Sequence, residues 1–192
     1  MPRLFIISGC NGSGKTTASY TVLPELLECS EFINSDEFAK ALSPSRPEAA
    51  SIQAGRYMLI KMQDLFRKRA DFGIESTLAT RSLLKTVRSA QELGYSVTIL
   101  YLWLPSPEAA LARVRARVST GGHDVMEDTV RRRYYAGLRN FFREYRPVCN
   151  SWVLADNSEP PYRIIAEGSQ KGTVIHDPEL YRQIEKTAYD QA

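Results

Sequence analysis

The sequence predicts an α/β fold of three layers, with helices on both faces of a mostly parallel, five-stranded sheet. Three observations carry this. Short apolar runs alternate along the chain with segments of helical period, the pattern of a parallel sheet with crossover helices. The run YSVTILYLWL, residues 95–104, is almost continuously apolar, as a strand covered on both faces must be. A glycine-rich loop, GCNGSGKTT at residues 9–17, joins the first strand to the first helix.

The elements follow in order. Arg3 to Ser8 (RLFIIS) reads as a short buried strand bounded by Gly9, and Lys15 to about Glu28 as a helix that Pro24 kinks or ends. Glu31 to Asn34 is a second strand. From Pro47, well placed in a first helical turn, to about Asp71 the pattern is helical, with Ala50, Ala54, Met58, Met62 and Phe66 on one face. Phe72 to Glu75 is a third strand, and Arg81 to Leu93 a helix closed by Gly94. After the strand at Tyr95 to Leu104, Pro107 opens a helix to about Ser119, Gly121-Gly122 breaks it, and Glu127 to Tyr145 forms a very basic helix. Ser151 to Ala155 is the fifth strand. Beyond it, about 160–192, lies an extension, a hairpin within Arg163 to His176 and a helix from Pro178 to Tyr189, that either completes the sheet edge or contacts a partner.

With 192 residues the default is a single domain, long enough to bury a sizeable core. A 43% hydrophobic and 24% charged composition is that of an ordinary globular chain, so no membrane or fibrous class is indicated. The net charge of +3 is too small, and Lys/Arg too dispersed, to make nucleic acid the expected partner; the local concentration between Arg113 and Arg146 suits an anionic small molecule. Cys10, Cys29 and Cys149 cannot all pair and lack metal-ligand spacing, the usage of a reducing cytoplasm. No apolar run nears the ~20 residues of a membrane span, and the apolar start runs into the glycine loop rather than a cleavage site. The expected location is cytoplasmic.

Gly9, Gly14, Lys15 and Thr16 fit the spacing G-x-x-x-x-G-K-[ST], with a strand before and a helix after. Such a loop turns successive N–H groups toward phosphate oxygens and adds the positive end of the helix dipole. Asn11, Gly12, Ser13 and Thr17 complete the ATP cradle; Lys15 can reach the β- and γ-phosphates and the Thr16 hydroxyl can bind Mg²⁺. Cys10 inside the loop is either oxidation-sensitive or simply small.

In parallel sheets ligands gather beyond the carboxyl ends of the strands. The second strand ends in Asn34-Ser35-Asp36-Glu37, where Asp36 can take a proton from an acceptor hydroxyl or help bind Mg²⁺; equally, Ser35 or Asp36 can cap the next helix. The third ends in Glu75-Ser76-Thr77. Glu75 can hold substrate hydroxyls or a metal-bound water, Ser76 and Thr77 can cap, and Arg81 can pair with Glu75 or with a substrate phosphate. Arg113 and Arg117 share a helix face, and a Gly-Gly-His turn joins them to Arg131-Arg132-Arg133, the layout of a lid over about 113–133. A solvated basic face is the other reading of these charges, and His123 reads as a structural residue of the turn. Asn157, after the fifth strand, can bond adenine or merely form a turn. No N-K-x-D, no LSGGQ and no apolar run ending in an acid at the fourth strand is found, which argues against a switch GTPase and against motor and transporter ATPases.

Taken together, GCNGSGKTT, INSDEFA, AGR at 54–56, IESTLAT, YLWLPSPEAALARVRARV, GGHDV, RRRY and ADNS resemble the small zeta-toxin-like kinases, over about residues 3–158. The resemblance implies a P-loop kinase fold and transfer of the γ-phosphate of ATP, with Mg²⁺, to a hydroxyl of a small metabolite. The toxin members are similar to UDP-N-acetylglucosamine kinases, which suggests a nucleotide sugar as acceptor and an antitoxin as protein partner. It further implies Asp36 as the acid that activates the acceptor, Lys15 as the loop lysine, Glu75 as a substrate-holding acid, and Arg117 with Arg132 as lid arginines on the phosphates; Thr77 and Arg81 fall on the substrate side, Arg113 and Asn157 on the nucleotide side. The large toxins carry longer substrate-binding insertions than this compact chain. A different class of function, a nucleotide-dependent ATPase or regulatory module acting with nucleic acid, or a polynucleotide kinase, draws on the basic helix and its aromatics Tyr134, Tyr135, Phe141 and Phe142.

Overall fold

The structure, a computed structural model, describes every residue except Leu27, Ser30, Ser45, His123, Gln191 and Ala192; the expectation for His123 therefore lies outside the described residues. Its sheet has strands β1 (Arg3–Ser8), β2 (Glu31–Ile33), β3 (Phe72–Ser76), β4 (Ser96–Trp103), β5 (Ser151–Asp156), β6 (Arg163–Ser169) and β7 (Gly172–Ile175). They lie in the order β2-β3-β1-β4-β5-β6-β7. The five strands expected from sequence are all present and all mutually parallel. The expected strand count is corrected to seven, because the C-terminal hairpin completes the sheet edge: β6 pairs antiparallel with β5 and β7 with β6, extending the same sheet.

The apolar runs explain why both faces are covered. In β1, Leu4 and Ile6 enter one core with Ile74, Ile99 and Leu154, while Phe5 and Ile7 enter another with Leu100, Leu102 and Ala155. Each such side chain contributes about 1.5–3 kcal/mol on burial, so alternation to two buried faces fixes the strand register. Helix α1 (Lys15–Leu26) covers the second face through Ala18; it runs past Pro24, which ends nothing before Leu26. The first face is covered by α3 (Ser51–Lys68), α4 (Ser82–Glu92) and the end of α6 (Glu127–Asn140), through Met62, Leu65, Val87, Ala90 and Leu138. The stripe read on α3 is the buried one: Ala50, Ala54 and Met62 are buried, and Met58 and Phe66 pack against the core.

Helix α6 ends in one π-helical turn, Phe141–Tyr145, whose aromatic side chains are buried. Helix α7 (Pro178–Asp190) packs Tyr181 and Ile184 into the same core. There Arg146 lies over the rings of Phe142 and Trp152, at 4.9 and 5.6 Å from their centroids. Short α2 (Ser35–Leu42) follows β2, and α5 (Pro107–Ser119) follows β4 with Pro107 in its first turn. The glycines end α5 after Ser119 as expected: Gly121, at φ 86°, and Gly122 return their N–H groups to Val118 and Arg117. Among the described residues no helix is long and apolar enough to cross a membrane.

Candidate active site

The strand register brings the predicted residues together. Ile7 pairs with Glu75 and Ser8 with Ser76, so the loop leaving β1 runs beside the acidic end of β3. Ile33 of β2 pairs with Ile74, which sets the Asn34–Asp36 segment on the other side of Glu75. A cavity of about 830 Å³ opens over these ends. Asn11, Gly12, Gly14, Lys15, Thr16 and Thr17 line it from the loop, and Asn34, Ser35 and Asp36 from the start of α2. Glu75, Ser76 and Thr77 form its floor, and Arg113, Arg117 and Arg133 its basic side.

Within the loop, Gly14 has φ 88°, and a Cβ there would stand 2.5 Å from the Asn157 amide nitrogen, so only glycine fits. That amide donates to the Ser13 carbonyl at 2.7 Å. Asn157 thus braces the loop from behind and does not line the cavity. Ser13 is fully buried, its Oγ without a hydrogen-bond partner. The Lys15 ammonium donates to the Cys10 carbonyl at 2.8 Å. Enclosure lowers the pKa of Lys15, opposed by the negative charges of Glu75 and Asp36. Burial raises the pKa of Glu75, and Lys15 and the adjoining Thr16 hydroxyl pull it back. One Glu75 carboxylate oxygen is buried and unpaired, an acceptor aimed at something that donates or carries charge. Burial also drives the Cys10 thiol to about 11, which makes it a protonated packing residue.

Asp36 is exposed and free for chemistry, since the two sequence candidates for the α2 cap both lose to a third. Asn34 caps the helix, its side chain accepting from the Asp36 N–H at 2.8 Å. Thr77 lines the cavity floor. Arg81 does not: it pairs with Glu144 at 2.7 Å, outside the cavity, because the chain turns away at Leu78, whose φ is 52°. Arg113 lines the cavity and donates to the Ser158 carbonyl at 2.6 Å. Of the three consecutive arginines the expectation for Arg132 is corrected. Arg132 is exposed and off the cavity, whereas Arg133 lines it and donates to Asn11 at 3.2 Å; Arg131 pairs with Glu108. Helical geometry permits one of three neighbours to face inward, and the sequence alone does not fix which.

The outer wall escaped the sequence reading. Ile52, Gly55, Arg56 and Leu59 from α3 and Ser82, Leu83 and Thr86 from α4 line the cavity. The only signal for any of them is AGR at 54–56, which carries no chemistry by itself. For magnesium, no group of three or more His, Cys, Asp or Glu converges among the described residues. The Thr16 hydroxyl beside the Glu75 carboxylate nonetheless fits an ion that keeps its waters and takes most other ligands from phosphate.

Residues 4–143, which include the loop, both acidic strand ends and all the cavity-lining arginines, match the AAA domain family (AAA_33). The chain belongs to this AAA domain family. An uncharacterized protein of Haemophilus influenzae is 35% identical over 126 residues, 66% of this chain and 88% of that protein. Among solved structures, the AvrRxo1-ORF1:-ORF2 complex with ATP is similar at TM-score 0.73 and 19% identity, over 96% of this chain; the chain spans only 63% of that chain's length. The PezAT toxin-antitoxin system of Streptococcus pneumoniae matches at TM-score 0.66 and 17% identity, over 99% of this chain and 87% of that one. A gluconokinase from Sinorhizobium meliloti 1021 matches at TM-score 0.54 and 15% identity, over 100% and 94%. At such identities these likenesses bear on the fold, and the fold is a P-loop kinase-like one.

Proposed function

We propose that this chain is an ATP- and Mg²⁺-dependent phosphotransferase that moves a γ-phosphoryl group to a hydroxyl of a small metabolite. The observation that carries this reading is the extent of the cavity. It runs from the phosphate loop past Asp36 and Glu75 to a wall bearing Ser82 and Thr86. A simple hydrolase needs room for a water; this site has room for a second, hydroxyl-bearing substrate.

Bound ATP and Mg²⁺ supply the phosphoryl donor and its charge neutralisation. Loop N–H groups and Lys15 would hold the phosphates, and the Thr16 hydroxyl would be the protein's ligand to the metal. Asp36 orients the acceptor hydroxyl and takes its proton as the acceptor oxygen bonds to phosphorus and the bond to the ADP oxygen breaks. Arg117 and Arg133 neutralise charge on the moving group. Glu75, with Thr77, holds the acceptor. A nucleotide sugar such as UDP-N-acetylglucosamine is the finer form of this reading; the likeness to the PezAT toxin-antitoxin system supports an antitoxin as protein partner, and the site of action is taken to be the cytoplasm. The rival reading, action with nucleic acid, loses its aromatic platform: Tyr134, Phe141 and Phe142 are buried and Tyr135 packs beside Tyr134.

The test is γ-phosphate transfer from labelled ATP across a metabolite extract, with mass spectrometry of the product. A phosphorylated metabolite dependent on Lys15 is the expected result. ATP hydrolysis with no phosphorylated product overturns the reading.

A further inference from the structure

Helix α6 touches both halves of the site. Toward the donor side, Val130 and Tyr134 share an apolar cluster with Cys10 of the loop, the Tyr134 hydroxyl donates to the Leu104 carbonyl at 2.8 Å, and Arg133 donates to Asn11. Two turns on, the same helix grips the segment that leaves β3. Gly137 lies so close to it that a Cβ would stand 2.3 Å from the Thr77 carbonyl oxygen. The buried Asn140 amide donates to the Leu78 carbonyl at 2.7 Å. Tyr145 in the π-helical turn donates to the Thr80 carbonyl at 2.7 Å. Arg81–Glu144 adds an ion pair at the rim. The carbonyls of Leu78 and Thr80 are therefore bonded by α6 and its continuation, and that of Thr77 is closely approached at Gly137.

These contacts need explaining because the gripped segment is not one that holds itself. Leu78 sits at φ 52°, a conformation that L residues other than Asn and Asp seldom adopt. Its own hydrogen bonds are two short turns, Leu78 N–H to Ser76 Oγ at 3.1 Å and Ala79 N–H to Thr77 Oγ1 at 3.4 Å. Strained backbone persists where its surroundings over-determine it, and here those surroundings are Gly137, Asn140 and Tyr145.

We propose that α6 is a strut coupling the donor and acceptor halves, and that Asn140 and Tyr145 are positioning residues that hold the Thr77–Thr80 segment, and with it Glu75 and Thr77, in register with the phosphate loop. The inference rests on the reading that the floor at Glu75 and Thr77 receives the acceptor. Nucleotide that draws Arg133 onto its phosphates tightens α6 and, through it, the acceptor floor. By reciprocity, an ordered floor strengthens nucleotide binding. Gly137 serves the approach and Arg133 the sensing, so both ends of the coupling lie on one rigid element.

The test uses the full chain and the non-hydrolysable analogue AMP-PNP with Mg²⁺, read by amide hydrogen exchange of the peptide covering residues 75–81. In the wild type, nucleotide is expected to slow exchange there by about tenfold, the size of one buried hydrogen bond's contribution. In Tyr145→Phe and Asn140→Ala that slowing is expected to disappear while AMP-PNP affinity weakens by no more than about the same tenfold, and Asn140→Gln restores part of it. Tyr145→Phe removes only a hydroxyl, so it carries the test if Asn140→Ala fails to fold. Nucleotide-induced protection of residues 75–81 that persists in a folded Tyr145→Phe, Arg81→Gln double variant overturns the coupling. The measurement needs no turnover, so loss of the kinase reading and loss of the strut are told apart.

Discussion

Replacing Asp36 by asparagine tests the proposed chemistry with little collateral damage. The Asp36 carboxylate accepts no cap bond, because Asn34 does that work, and the residue is exposed. The structural cost is thus confined to one negative charge in the first turn of α2, about 0.3–1 kcal/mol, or about 4 °C in Tm at most for a chain of this size. The chemical cost is far larger. A positioned general base contributes about 10²–10⁴ in rate, equivalent to about 2.7–5.4 kcal/mol of activation free energy. The amide that replaces the carboxylate still accepts a hydrogen bond but takes no proton. The assay measures transfer to the identified acceptor, AMP-PNP affinity and Tm on the same preparation. Glu37→Gln is the control: it removes a neighbouring charge from the same turn, off the cavity, where Glu37 only accepts a hydrogen bond from Tyr20. The expected pattern is transfer lowered at least about 10²-fold in Asp36→Asn, near wild type in Glu37→Gln, and nucleotide affinity unchanged in both. Turnover of Asp36→Asn within about threefold of wild type would refute its role as base.

The two neighbouring arginines should separate in the same assay: Arg133→Ala is expected to lose transfer on the order of 10²-fold, as when one transition-state donor is removed, and exposed Arg132→Ala to lose almost none; equal effects would reject the assignment. Burial raises the pKa of Glu75 from 4.5, so the folded state holds that proton more tightly than the unfolded one. Its contribution is complete below about pH 4.5 and is lost as pH rises through the raised folded value; Glu75→Gln should therefore flatten the fall in stability just above pH 4.5 in denaturant titrations, and an unchanged slope counts against a buried, desolvated Glu75. With thiols pushed to about 11 at Cys10 and about 12 at Cys149, and all three cysteines buried, the native protein should resist iodoacetamide at about pH 7.5 and label at all three sites when denatured. Rapid native labelling of Cys10 would return it to the oxidation-sensitive reading.

What the sequence makes legible follows chain contiguity. The phosphate loop is nine consecutive residues whose spacing carries its own geometry, and the strand–loop–helix context comes with it. Asp36 and Glu75 are readable because parallel strands deliver their last residues to one edge of the sheet. The failures share a cause. Arg133 rather than Arg132, and Arg81 turned to Glu144, are decided by rotation about a helix axis and by one left-handed residue, neither of which leaves a compositional trace. The hairpin's place in the sheet is equally silent: RIIAEGS fits a strand of a free hairpin or of the main sheet, and only its pairing with β5 distinguishes them.

The same logic locates specificity. Phosphate recognition in this fold needs backbone N–H groups and a few cations, and those are fixed by the loop and by α5 and α6. On the proposed reading, Glu75 and Thr77 hold the acceptor hydroxyl, and discrimination among acceptors falls to the outer wall, where α3 and α4 offer Ile52, Arg56, Leu59, Ser82 and Thr86. These positions lie on solvent-facing turns of their helices, while the buried turns of α3 carry Ala54, Met62 and Leu65. Their side chains can therefore vary at little cost in stability, whereas Ile74 or Leu65 cannot without leaving a cavity worth about 2–5 kcal/mol. If the chain is the proposed phosphotransferase, such an arrangement keeps one donor half and lets acceptors change by substitution along two helix faces. Exchanging α3 wall residues for those of a relative with a different acceptor should thus move KM for the acceptor and leave that for ATP in place, and a change confined to ATP would show that the wall is not where the acceptor is read.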